Sequence, residues 1–281
     1  MYRKDYIYKR KGEIPIESTL YKTTLKQSIG TIIYFHGGGL IWGNRNDLPE
    51  KYIQIFLEHG YNFISFDYRL APETKLTEIY EDVQDALKWF DRNAFNILQL
   101  DNKQFYLFGR SAGSYLSFLL AKDPFIPKPS GLIIFYGYSN LKDDFYNQPN
   151  KHYLHYPNVT QKLRDALIQN KPLTNGQLNN RFAIYVYARQ NGTWARDMLE
   201  NPIDPYFSLT KNDLALLPKT FLAHSKTDLD VPFSIAQYHA KNIPKVKLYE
   251  VDDLEHDFDQ NINNPIGEEV YKEIIRFFTN K

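Results

Sequence analysis

Cysteine is missing from all 281 residues, which excludes disulfide bridges, thiolate zinc sites and a cysteine nucleophile. An excess of charge of either sign is missing too. Basic side chains number 34 against 33 acidic ones, for a net charge of +1. With no long single-sign run and no basic stripe, nothing marks a nucleic-acid partner or an anionic membrane surface. A small or neutral molecule is the expected ligand, and a homodimer is compatible with this composition. Long apolar runs are also absent: LIIFYGY at 132–138 falls well below the ~18 residues a membrane helix needs. The opening MYRKDYIYKRKG puts charges where a signal peptide has its apolar stretch, so a cytoplasmic location is expected. No internal repeat and no low-complexity tract interrupts the chain.

What is present is a full-sized core, since a chain of this length buries roughly three quarters of its unfolded surface. Residues 2–23 alternate apolar and polar side chains around Gly12 and Pro15 and read as two short antiparallel edge strands. The rhythm then changes. TIIYF, NFISF, QFYLF, GLIIFY, KTFLA and VKLYEV read as strands buried on both faces, separated by helical stretches such as TEIYEDVQDALKWF and AGSYLSFLLAK. Such alternation predicts an α/β fold with a mostly parallel sheet flanked by helices. From 138 to 217 the alternation stops, although YLHYP, RFAIYVYA, WARDML and NPIDPYF are rich in aromatics. The interval is too long for a plain loop and too apolar for disorder. It is expected to be an inserted, mostly helical cap on a core made of 1–137 and 218–281.

The chemistry-bearing residues follow strand ends, where open α/β sheets place ligands. HGGGL (36–40) follows TIIYF, and GRSAG (109–113) lies between QFYLF and a helix beginning near Ala112. That context gives G-x-S-x-G its meaning: a serine on so tight a turn needs small neighbours, which Gly109 and Gly113 supply, leaving the Ser111 hydroxyl at the apex. A hydroxyl needs a base, and the base needs a carboxylate to fix its tautomer. His256 follows the last apolar strand run and Asp228 follows KTFLA, giving the order Ser111, Asp228, His256. Bare backbone at the glycines suits an oxyanion, so Gly38 and Gly39, with Ala112 after the nucleophile, are the expected donors.

Together with DYRLAPE (67–73) and EHDF (255–258), these motifs resemble the hormone-sensitive-lipase-like branch of the α/β-hydrolase superfamily, whose microbial members are mostly carboxylesterases. The resemblance covers most of the chain outside the cap. It implies an eight-stranded sheet, a cap, no cofactor, and a small-molecule ester of short to medium acyl length as substrate. Three features depart from the pattern: Arg110 stands where that branch usually has Asp, Ser114 where a further Gly is common, and the segment after DYRLAPE is compressed.

Other readings compete. An amide or formamide hydrolase would use the same triad, and a non-catalytic binding protein on this scaffold would be expected to lack a triad member. A dinucleotide-binding loop would need glycine at position 42, which is Trp. His36 precedes the glycines and is expected to organise its loop, while His59, His224 and His239 read as ordinary surface or packing residues. His152 and His155 have no carboxylate cluster to make them a metal pair, and no metal is expected. Asp230 competes with Asp228, which comes sooner after the strand. Asp252, Asp253 and Asp257 lie too close to His256 in sequence to reach back to its ring easily. Asp67, Arg69 and Glu73 are expected to form an ion-pair network holding the glycine loop. Tyr153, Tyr156, Tyr185, Tyr187 and Trp194 read mostly as cap core, with some lining the pocket.

Overall fold

Side chains alternate across the central strands, so each strand feeds two separate cores. In β3 (Gly30–Phe35), Ile33 and Phe35 enter one apolar cluster and Ile32 and Tyr34 enter the other. The second cluster is closed by α1 (Glu50–Glu58) and by the last helix of the chain, through residues such as Phe56, Tyr271 and Ile274. The first is closed by α2 (Leu76–Asn93), α3 (Ala112–Lys122) and the segment between 138 and 217. Strands covered on both faces have no polar side to show, which is why β3, β4 (Tyr61–Phe66) and β5 (Phe105–Arg110) are buried along their whole length.

The computed structural model describes residues 2–199 and 204–279. Its sheet has eight strands in the order β1-β2-β4-β3-β5-β6-β7-β8, where β1 is Tyr2–Lys11, β2 Ile14–Lys22, β6 Gly131–Phe135, β7 Thr220–Ser225 and β8 Val246–Val251. β1 and β2 form the antiparallel edge and every other pairing is parallel except β2 with β4. This is the α/β-hydrolase arrangement. Between β6 and β7 lie short helices: α4 (Asp144–Asn147), α5 (Gln161–Leu167), α6 (Leu178–Asn191), α7 (Trp194–Met198) and α8 (Lys211–Ala215). Residues 200–203, which include the start of the NPIDPYF run, lie outside the described residues. α9 (Phe233–Asn242) and α10 (Pro265–Thr279) complete the chain. Among the described residues no helix is long and apolar enough to cross a membrane.

Candidate active site

The turn from β5 into α3 is closed so tightly that only glycine fits at its flanks. A Cβ on Gly109 would lie 2.2 Å from the Gly113 carbonyl, and one on Gly113 would lie 2.0 Å from the Phe35 oxygen. Between them Ser111 adopts φ +52°, a left-handed conformation that costs on the order of 1–3 kcal/mol and is held by its surroundings. Ser114 contributes to that hold, donating to the Gly109 carbonyl at 2.6 Å or the Phe135 carbonyl at 2.9 Å. The serine at this position thus ties the turn to the neighbouring strand.

Two further loops converge on Ser111. His256 Nε2 lies 3.0 Å from Ser111 Oγ, and His256 Nδ1 lies 2.6 Å from Asp228 Oδ2. The other Asp228 oxygen accepts the backbone N–H groups of Asp230 and Val231, both at 2.8 Å. These contacts decide between the two aspartates of the loop. Asp230 instead accepts the Tyr185 hydroxyl at 2.9 Å and lies 3.8 Å from His256 Nε2. Burial alone would lower the His256 imidazole, but the carboxylate of Asp228, with Asp230 and Asp257 behind it, outweighs burial and holds the pKa above its ordinary 6.5. For the same pairing, with the opposite sign, Asp228 is held well below the carboxylate range despite its burial.

His224, expected to be an ordinary surface or packing residue, instead contributes to the site. It is buried at the end of β7, and its Nε2 donates to the Val231 carbonyl at 2.9 Å while lying 3.0 Å from Asp228 Oδ2. Only the spacing of four between His224 and Asp228 hinted at it.

The glycine loop lies against the serine turn: a Cβ on Gly37 would be 3.4 Å from the Ser111 Cβ. Gly38 (φ +86°) and Gly39 (φ +58°) have backbones that L side chains rarely adopt. Both line the cavity, and Ala112 opens α3, where amide groups have no intrahelical acceptor. His36 is buried, stacks on Tyr68 with ring centres 4.2 Å apart, and has its pKa lowered by burial to about 4, so it is a neutral support of the loop.

The departure at Arg110 has a structural account. Its guanidinium is held in a buried cluster, donating to Asp259 at 3.0 Å and to the Tyr136 hydroxyl at 2.6 Å. Asp259 also accepts the hydroxyls of Tyr136 and Tyr271. Tyr136 in turn packs on the His256 ring at 4.5 Å. The cluster therefore ties β5 to the loop that carries His256.

One face of α6 pins both halves of the site. Arg181, Tyr185 and Arg189 recur every four residues and so share a face. Arg181 donates to the Ile41 carbonyl at 2.5 Å, to the Ala71 carbonyl at 2.7 Å and to Glu73 at 2.6 Å, clamping the glycine loop. The Tyr185 ring sits where a Gly39 side chain would be, 2.7 Å from that Cβ position, while its hydroxyl holds Asp230. Arg189 donates to the Asp230 carbonyl at 3.1 Å and is packed among the rings of Phe145, Tyr146, Tyr153 and Tyr185. Of the ion-pair network expected around DYRLAPE, Asp67 binds Arg45 beyond the glycines and Glu73 binds Arg181. Arg69 is committed elsewhere, to Glu78 and Asp82 of α2.

Ser111 and His256 open onto a cavity of about 800 Å³, with Asp228 behind His256. Trp42, Tyr136, Tyr153, Tyr156, Phe182 and Phe258 are its aromatic lining, whereas Trp194 is buried and donates to the Gly39 carbonyl at 3.0 Å. His152 lines the cavity and His155 does not; among the described residues no group of three or more His, Asp or Glu is arranged to hold a metal ion.

The model of a family described as having the alpha/beta hydrolase fold matches residues 32–260. Among solved structures, a protein of unknown function from Staphylococcus aureus subsp. aureus Mu50 is 32% identical, with 99% of this chain and 98% of that one covered at a TM-score of 0.85. An α/β-hydrolase superfamily protein from Enterococcus faecalis is 29% identical, with 95% of this chain and 96% of that one covered at a TM-score of 0.82. An esterase from Pyrobaculum calidifontis, 22% identical, shares the fold at a TM-score of 0.70, covering 98% of this chain and 83% of that one. The non-reducing polyketide synthase adrD of Penicillium rubens is 33% identical over 158 residues, covering 51% of this chain and 6% of that protein. The chain thus matches a small part of the length of its curated relatives.

Proposed function

Because the chain belongs to the α/β-hydrolase family, in its hormone-sensitive-lipase-like branch, we propose that it is a serine carboxylesterase acting on esters of short to medium acyl chain. The single observation that carries this reading is the continuous relay from Ser111 Oγ to His256 Nε2 at 3.0 Å and from His256 Nδ1 to Asp228 at 2.6 Å. In the first half-reaction Ser111 Oγ attacks the ester carbonyl carbon as His256 takes the hydroxyl proton. Charge then develops on the carbonyl oxygen, and fixed backbone amides of Gly38, Gly39 and Ala112 stabilise it without reorganising. Collapse expels the alcohol, which leaves with the proton from His256. In the second half-reaction water attacks the acyl-serine, again through His256, releasing the acid and restoring the hydroxyl. Asp228 fixes the tautomer that makes Nε2 the acceptor and stabilises the imidazolium as it forms. Residues 138–217 serve as the cap over this cavity, and no cofactor takes part.

The test is turnover of p-nitrophenyl acetate and p-nitrophenyl butyrate by the purified protein and by Ser111→Ala. The variant is expected to lose on the order of 10⁴-fold or more in kcat, together with covalent labelling by a fluorophosphonate probe. Equal turnover by the two proteins would sink the assignment.

A further inference from the structure

The cavity is larger than a short acyl chain needs, and its charge and hydrogen-bonding groups are unevenly distributed. Among the described residues lining it, Arg110 supplies the one lysine or arginine head group. That guanidinium is already committed to Asp259, to the Tyr136 hydroxyl and, at 3.4 Å, to Gln260. Asp47, Asp230, Glu255 and Asp257 line the same space. An anionic group entering here meets carboxylates and no available counter-charge.

The unspent donors are neutral. Asn44, Asn261 and Asn264 each give their side-chain oxygen to a backbone N–H two residues ahead, at 2.9, 3.1 and 3.0 Å. The Gln260 oxygen faces Arg110. The NH₂ groups of all four carboxamides have no hydrogen-bond partner among the described residues, and the carboxylates of Glu255 and Asp257 make no hydrogen bond or ion pair there, although the Asp257 charge is felt by His256. Amide donors and carboxylate acceptors interleaved in one wall match hydroxyl groups, which donate and accept at once. A cation would satisfy the carboxylates alone. An alkyl group would satisfy neither and would strip water from both.

Resting on the esterase reading, we propose that the substrate joins its acyl group to a neutral, hydroxyl-rich alcohol, a polyol or glycosyl group, which sits against the Asn44 and 255–264 wall. The acyl group then lies among Trp42, Tyr153, Tyr156 and Phe182. Hydrolysis transfers the acyl group to water through Ser111, leaving a free polyol hydroxyl and a carboxylic acid.

The experiment compares kcat/KM, by acetate release, for methyl 6-O-acetyl-glucopyranoside, cyclohexylmethyl acetate and acetylcholine. The sugar ester is expected to exceed cyclohexylmethyl acetate by about tenfold or more, the effect of two to three hydrogen bonds. In Gln260→Leu/Asn261→Leu that ratio is expected to fall toward one; Asn261→Leu alone, which should lower it partway, serves if the double variant does not fold. Cyclohexylmethyl acetate or acetylcholine turned over as well as the sugar ester, or a ratio unmoved in the variants, overturns the proposal. Binding of the same three esters to Ser111→Ala, followed by ligand-observed NMR, separates the two readings. A protein inactive on p-nitrophenyl acetate whose Ser111→Ala form still prefers the sugar ester refutes the esterase and upholds the hydroxyl preference. One active on p-nitrophenyl acetate without that preference does the reverse.

Discussion

If Ser111 and His256 act as proposed, replacing Asp230 by Asn should move the acid limb of the pH profile for ester hydrolysis downward. His256 must be neutral to accept the Ser111 proton, so kcat/KM rises as pH passes upward through the imidazole pKa of the free enzyme. In the wild type that limb is expected above pH 6.5, because the Asp228, Asp230 and Asp257 carboxylates outweigh burial. Asp230 lies 3.8 Å from His256 Nε2, and an uncompensated charge at ~4 Å is worth ~4 kcal/mol at an effective dielectric of ~20. Solvent reaching this partly exposed pair screens most of that field. A residual of about a third, ~1.4 kcal/mol, corresponds to a downward shift of about one pH unit. The substitution also leaves the Arg189 cation less well paired, which costs stability. The assay is kcat/KM for p-nitrophenyl butyrate from pH 5 to 10 at a temperature where both proteins remain folded, with the wild type alongside. A wild-type limb at or below 6.5, or a limb that stays put in Asp230→Asn, refutes the electrostatic reasoning.

Gly39→Ala adds a Cβ 2.7 Å from the Tyr185 ring on a backbone at φ +58°; kcat for p-nitrophenyl acetate is expected to fall by about a hundredfold or more as the oxyanion donors shift. Glu73→Ala leaves the buried Arg181 guanidinium without its carboxylate, and urea denaturation should show a loss of about 3–5 kcal/mol. Acid should weaken the fold through two buried neutral imidazoles, since burial lowers His36 to about 4 and His239 to about 3. The unfolded chain takes up protons at these positions below ~6.5 while the folded one does not, so their stabilisation is full above that pH. It is lost as pH falls, by ~2 kcal/mol per imidazole at pH 5. His256 has the opposite sign, and its contribution is already complete below ~6.5, so it offers no offset in this window. Urea midpoints at pH 7 and pH 5 check this; equal unfolding free energies would contradict it.

The parallel strands were readable because each is a short apolar run bounded by turn residues, and their bounds in the fold lie within two residues of the runs. Ser111 was readable for a related reason: the steric demand of its turn is local, and glycine at 109 and 113 is the visible trace of it. Asp228 against Asp230 was a narrower matter. The two sit two residues apart in one loop, and the partners that separate them come from distant segments, His256 for one and Tyr185 with Arg189 for the other. His224 was missed because a buried histidine and an ordinary packing histidine look alike until the carboxylate beside it is known.

The chain's order of apolar runs, its glycines and its ordered Ser, Asp and His thus determined the sheet and the candidate triad, because those features depend on near neighbours along the backbone. Tertiary structure alone decided how α6 braces the glycine loop and the acid loop, why an arginine stands at 110, and which wall of the cavity is polar. Arg110 meets Asp259 across 149 positions and Arg181 meets Glu73 across 108. The energy of a buried charge is set by whichever group arrives beside it, and local sequence carries no record of that arrival.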